Sequence, residues 1–134
     1  MKVKTILVSQ PEPKSDTSPY HELARKQKVS VDFRPFIHVE GVDGADVRQQ
    51  KVSITEHTAV ILTSRNAVDH YFRVCEEMRF EVPTAMKYFC MSEAIAFYLQ
   101  KYITYRKRKI YFGKQRFADL IDTIKKHKNE KFLL

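Results

Sequence analysis

Glycine is scarce in this 134-residue sequence, at three residues, and proline is limited to five. That composition excludes a collagen-like chain, a flexible linker and a Gly-rich loop that cradles a phosphate. Long apolar runs are missing too. None approaches the roughly 20 residues needed by a bilayer-spanning helix, so no membrane span or membrane partner is expected. Met1-Lys2-Val3-Lys4 leads into only a short apolar-biased stretch before Pro11, too little for the hydrophobic region of a secretory signal. A cytoplasmic location follows as the expectation. Only two cysteines occur, Cys75 and Cys90, both inside apolar stretches and without CxxC or Cys/His spacing, so they read as buried small hydrophobes. The histidines, His21, His38, His57, His70 and His127, show no HxxxH or HExxH spacing. A GxSxG elbow and a paired His/Cys nucleophile are absent as well. Nucleophilic, metal and cofactor catalysis therefore lack their usual parts, and no catalytic residue, metal or cofactor is assigned.

What is present is a core and a local excess of charge. Apolar and aromatic residues make up 43% of the chain, enough for one ordinary domain to bury an interior. Residues 1–100 hold equal numbers of basic and acidic side chains, so the net charge of +8 resides entirely in residues 101–134. Much of it is the run Arg106-Lys107-Arg108-Lys109, followed by Lys114, Arg116, Lys125, Lys126 and Lys128. Such a stretch is either a solvated face or a surface that attracts acidic partners. Tyr98, Tyr102, Tyr105, Tyr111 and Phe112 are interleaved with these cations, as a platform for stacking single-stranded nucleic acid requires. A basic α/β nucleic-acid-binding module without catalysis is thus the alternative reading, although no recognised nucleic-acid motif accompanies it.

The apolar pattern alternates between short β-like runs and longer helical ones. Val3 to Val8 reads as a strand closed by Ser9-Gln10-Pro11-Glu12-Pro13. A helix from Pro19 to Lys28 follows, with Ser18 as its N-cap and Pro19 at the first helical position. Val29 to Phe33 alternates as a strand, and Phe36 to Val39 is a second extended piece that fits a connector between two lobes. Ala45 to Lys51 forms a weak helix. Ala59-Val60-Ile61-Leu62 is a continuous apolar run, as expected of a strand buried on both faces. Thr63 or Ser64 caps a helix from Arg65 to Met78, in which Val68, Tyr71, Phe72, Cys75 and Met78 recur on one face. Then come a strand at Lys87 to Met91, a helix at Ser92 to Lys101, a strand at Lys109 to Phe112 and a helix at Phe117 to Lys126. Lys131 to Leu134 begins one more buried strand, which suggests a fragment of a longer polypeptide. Strand and helix alternating in this way predict an α/β fold with a mostly parallel sheet.

In open α/β sheets, ligands bind beyond the carboxyl ends of the strands, where helix N-termini attract anions. That rule singles out Ser9 and Gln10, the tetrad Thr63-Ser64-Arg65-Asn66, Ser92-Glu93, and Gly113-Lys114-Gln115. The tetrad is richest, because two hydroxyls, backbone amides, a guanidinium and a carboxamide can all donate to one carboxylate. Capping accounts for at least one of those hydroxyls.

These same positions carry a family resemblance. Ile6-Leu7-Val8-Ser9-Gln10-Pro11 resembles the opening strand and turn of the uroporphyrinogen-III synthase family. Ala59 to Val68, with Thr63-Ser64-Arg65-Asn66-Ala67-Val68 after the strand, is similar to that family's most distinctive stretch. Met91 to Leu99 resembles its Val-Gly-x-x-Thr-Ala segment, with Ser92 in place of the usual Gly and Ile95 in place of Thr. The resemblance implies flavodoxin-like, parallel-sheet lobes in a two-lobed fold, incomplete at the C-terminus. Residues 1–38 would supply the first part of lobe one and the connector, and residues 39–134 most of lobe two. It further implies a monomeric, cofactor-free lyase of tetrapyrrole biosynthesis that closes hydroxymethylbilane with inversion of the last pyrrole ring and loss of water. The substrate is a tetrapyrrole polycarboxylate, not a nucleic acid. Thr63, Ser64, Arg65 and Asn66 would hold its acid arms, Ser9 and Gln10 would do so from the other lobe, and Ser92 and Lys114 would complete the set. An isolated fragment would be nearly inactive.

Overall fold

The computed structural model describes residues 2–134. The chain divides into two compact units, Met1–Glu40 and Gly41–Leu134. In the first, β1 (Thr5–Val8) and β2 (Ser30–Phe33) pair in parallel, Thr5 opposite Ser30 and Val8 opposite Phe33. Helix α1 (Pro19–Gln27) connects them. Ser18 caps it by accepting from the Tyr20 amide at 3.3 Å, and Pro19 follows where its missing N–H costs nothing. Lys28 ends the helix in the left-handed region, at φ 50°. This unit buries little: no apolar residue among 2–40 is fully buried, and Leu7 and Leu23 remain 59% and 43% exposed. The extended piece expected at Phe36 to Val39 pairs with no strand, and Phe36, Ile37 and Val39 are exposed.

The second unit is built on four parallel strands in the order β5-β4-β3-β6: β3 (Ala59–Leu62), β4 (Lys87–Cys90), β5 (Ile110–Phe112) and β6 (Phe132–Leu133). Between them run α3 (Arg65–Glu77), α4 (Glu93–Tyr98) and α5 (Ala118–Lys126), and α2 (Gly44–Gln49) precedes the sheet. All four residues of β3 are buried, as its unbroken apolar run predicts. Because successive side chains point to opposite faces, β3 and β4 feed two separate layers. Val60, Leu62, Tyr88 and Cys90 pack with Val68, Tyr71 and Cys75 of α3 and Ile95 and Ala96 of α4. Ala59, Ile61 and Phe89 pack on the other face with Leu120 of α5. Full burial of such a side chain contributes about 1.5–3 kcal/mol.

The mixed α/β fold with parallel sheets is what the alternating pattern predicts, and it is consistent with the flavodoxin-like class that the family resemblance implies. Two local details differ. The helix expected over Ser92 to Lys101 ends at Tyr98 and tightens into a 3₁₀ turn, Leu99–Lys101. A further 3₁₀ turn, Ile54–Glu56, inserts buried Ile54 into the core and is too short to leave a periodic pattern. The two-residue β6 is held by its flanks, where the Lys131 carbonyl accepts from the Thr58 and Ala59 amides at 2.9 and 3.1 Å. The Lys131 amide in turn donates to Thr58 Oγ1 at 2.9 Å.

Candidate functional site

A parallel sheet puts the carboxyl ends of all its strands on one edge, and three loops emerge there side by side. Thr63-Ser64 follows β3, Met91-Ser92 follows β4, and Gly113-Lys114-Gln115 follows β5. Backbone bonds lock them together: Met91 N–H to the Leu62 carbonyl at 3.1 Å, Gly113 N–H to Cys90 at 3.0 Å and Gln115 N–H to Met91 at 2.9 Å. Thr63, Ser64, Arg65, Asn66, Ser92 and Lys114 therefore share one edge of the second unit. Ser9 and Gln10 lie at the corresponding end of β1 in the first unit; both are exposed, and Gln10 Oε1 accepts from the Tyr20 hydroxyl at 3.3 Å.

Capping divides the hydroxyls. Ser64 Oγ accepts from the Ala67 amide at 3.0 Å and is the N-cap of α3, while Thr63 stands outside the capping geometry and is exposed. Ser92 Oγ caps α4 through the Ile95 amide at 3.4 Å. Arg65 and Asn66 are exposed at the start of α3, where the helix dipole presents partial positive charge. The edge thus offers a guanidinium, a carboxamide, a free-standing hydroxyl and helix-start amides to an anionic ligand.

The Gly113 loop is occupied differently. Asp119 accepts from the Lys114 and Arg116 amides at 3.0 and 3.2 Å, so one of the chain's own carboxylates fills the amide cradle. Gly113 makes this possible, since a Cβ there would meet Asp119 Cβ at 2.9 Å and the Met91 carbonyl at 3.3 Å. Lys114 is left to contribute its ammonium rather than its amide. Helices α3 and α4 lie on one face and α5 on the other, so beyond the Gln115–Met91 hydrogen bond the chain leaves β4 and β5 towards opposite faces of the sheet. Gln115, in the loop after β5, holds φ at 104°, a conformation that favours glycine.

One cluster was not anticipated from the sequence. The guanidinium of Arg65 sits over the Tyr98 ring, 5.5 Å from its centroid. Tyr98 donates to both Asp69 carboxylate oxygens at 3.0 Å, Lys101 donates at 3.2 Å, and Tyr102 donates as well. The Tyr102 hydroxyl, then Tyr98 and Lys101, hold the Asp69 carboxyl below the usual carboxylate range against the opposing effect of burial. The available signal was spacing: Arg65 and Asp69 stand four apart on one face of α3, and Tyr98 and Tyr102 are also four residues apart in the sequence. Their meeting depends on how α3 packs against α4.

Other chemistry is not assembled. Cys75 and Cys90 are buried, and burial pushes the Cys90 thiol up to about 12, far from a reactive thiolate. No group of His, Cys, Asp or Glu among the described residues is arranged to hold a metal ion. The aromatic rings between the basic residues are largely engaged within the fold. Tyr102 stacks on Phe72 with centroids 4.5 Å apart and Tyr111 stacks on Phe89 at 4.8 Å, which leaves Phe112, 45% exposed, as the most open of the five.

No helix among the described residues is long and apolar enough to cross a membrane. A family model described as uroporphyrinogen-III synthase HemD matches residues 18–134. Comparison with curated proteins and with solved structures gives no match.

Proposed function

The chain belongs to the uroporphyrinogen-III synthase HemD family, and from that premise we propose that it acts in tetrapyrrole biosynthesis by closing hydroxymethylbilane to uroporphyrinogen III. The reaction loses water and inverts the last pyrrole ring, and needs neither metal nor organic cofactor. Thr63, Arg65, Asn66 and the α3 amides bind acid arms of the substrate, with Ser92 and Lys114 beside them on the same edge of the second unit. The observation that carries this reading is the gathering of the loops after β3, β4 and β5 on one sheet edge.

The chemistry suits such a site. A flexible polycarboxylate must be held folded so that its ends meet, which is catalysis by proximity and orientation. Helix starts and cationic side chains do this without a nucleophile, because their donors are fixed before the substrate arrives. The Arg65 guanidinium, set over Tyr98, is pre-oriented for a carboxylate. No residue of this chain is assigned the role of general acid for hydroxyl loss. Among its described residues the first unit fully buries no apolar side chain.

The deciding assay uses freshly prepared hydroxymethylbilane with the chain alone and with the chain extended along its reading frame. Uroporphyrinogen III above the spontaneous type I background is expected, weakly or not at all from the chain and clearly from its extension. Type I product alone from both overturns the proposal.

A further inference from the structure

The basic run Arg106 to Lys109 takes no part in the site described above. It lies at the opposite, amino edge of the sheet, immediately before β5 begins at Ile110. There it borders a cavity of about 220 Å³. The floor is apolar: Met86, Tyr88 and Ile110 are each no more than 4% exposed. The mouth is cationic, since Arg106 and Lys109 both line it and no acidic side chain does. Two turns shape the rim. One is closed by Met86 N–H to the Pro83 carbonyl at 3.0 Å, the other by Lys109 N–H to the Arg106 carbonyl at 3.0 Å. The Lys109 ammonium donates across the opening to the Thr84 carbonyl. None of the ion pairs among the described residues involves Arg106, Lys107, Arg108 or Lys109, so the positive charge of this rim is uncompensated.

We propose that this cavity is a second binding site, separate from the carboxyl edge, for a small amphipathic carboxylate. A single ring or short chain fills the floor, and the carboxylate meets Arg106 and Lys109 at the mouth. The size favours a small ligand, because sites for larger organic molecules span about 300–1,000 Å³. Two separable contributions define the specificity. Apolar burial acts on the body at about 25 cal/mol per Å², and charge-assisted hydrogen bonding acts on the head. A neutral apolar molecule gains only the first and a bare inorganic anion only the second. The inference does not depend on the tetrapyrrole reading, which concerns the other edge of the sheet.

The test is a methyl NMR titration of the whole chain, labelled at Met and Ile, with phenylbutyrate, phenylbutanol and acetate as probes. Phenylbutyrate is expected to shift the Met86 and Ile110 methyl signals saturably, phenylbutanol to bind about tenfold more weakly, and acetate to leave them unmoved. Arg106→Gln should bring phenylbutyrate down towards the affinity of the alcohol without changing the alcohol's own. Thr104→Trp, which plugs the mouth from an exposed position, should abolish both. Neither exposed substitution touches the core, and the remaining methyl signals report whether the fold is intact. No saturable shift by about 10 mM, equal affinities for acid and alcohol, or indifference to Arg106→Gln would each overturn the proposal.

Discussion

Ser64 and Asn66 stand two residues apart at the start of α3 and answer to different physics. The Ser64 hydroxyl is committed to the Ala67 amide, so its replacement by Ala should lower stability by about 1 kcal/mol, the usual cost of a lost N-cap. Asn66 is exposed and caps nothing, so Asn66→Ala should change stability by no more than about 0.5 kcal/mol. Its effect should appear in ligand binding instead. Thermal melts paired with fluorescence titration of uroporphyrin III separate the two: a shifted melting point for Ser64→Ala and weakened binding for Asn66→Ala are expected. Unchanged affinity in Asn66→Ala would remove Asn66 from the site. The sequence shows that one hydroxyl of Thr63-Ser64 caps the helix, but not which, because the choice depends on the backbone angles at Ser64, φ −156° and ψ 168°.

At the scale of elements, α3 and α4 are joined by a polar latch as well as by their apolar faces. Asp69 on α3 receives Tyr98 from α4 and Tyr102 and Lys101 from the turn beyond it. Since these donors lower the Asp69 carboxyl pKa in the folded state, the latch is stabilising above the ordinary carboxylate pKa and is lost as pH falls through the lowered folded value. Asp69→Asn should therefore melt below the wild type near neutrality, and the gap should narrow as the buffer is taken to strong acid. Melting curves across that range check it, and a gap independent of pH would show that the carboxylate charge is immaterial. A second charged contact supports α2. Glu77 accepts from the Gly44 amide at 2.7 Å while paired with Arg73, and both hold its carboxyl below the usual range, the Gly44 amide more strongly. Asp43, which occupies the N-cap position of α2, makes no side-chain cap bond. Periodicity located α3 to within a residue, whereas the early end of α4 and the turn at Ile54 escaped it, because segments of three to six residues complete too few helical turns to display a face.

For the whole molecule, burial is unevenly shared. Every fully buried apolar side chain among the described residues belongs to Gly41–Leu134, and none to the first unit. Amide hydrogen exchange should register this directly, with β3 and β4 protected at least about 100-fold more than β1 and β2, since opening free energy follows buried contacts. Equal protection across the two sheets would contradict it. The alternation of strand and helix, the doubly buried strand at Ala59–Leu62, the buried thiols and the donor-rich tetrad at Thr63 to Asn66 were all determined by the sequence, because they rest on short-range periodicity and residue chemistry. Tertiary structure alone decided the strand order β5-β4-β3-β6, which sets three loops side by side. It alone brought Asp69 to Tyr98 and Tyr102, filled the Gly113 cradle with Asp119, and left a cavity beside the basic run. Each of these joins residues whose proximity depends on how helices cross over a sheet, and no local pattern along a chain encodes that crossing.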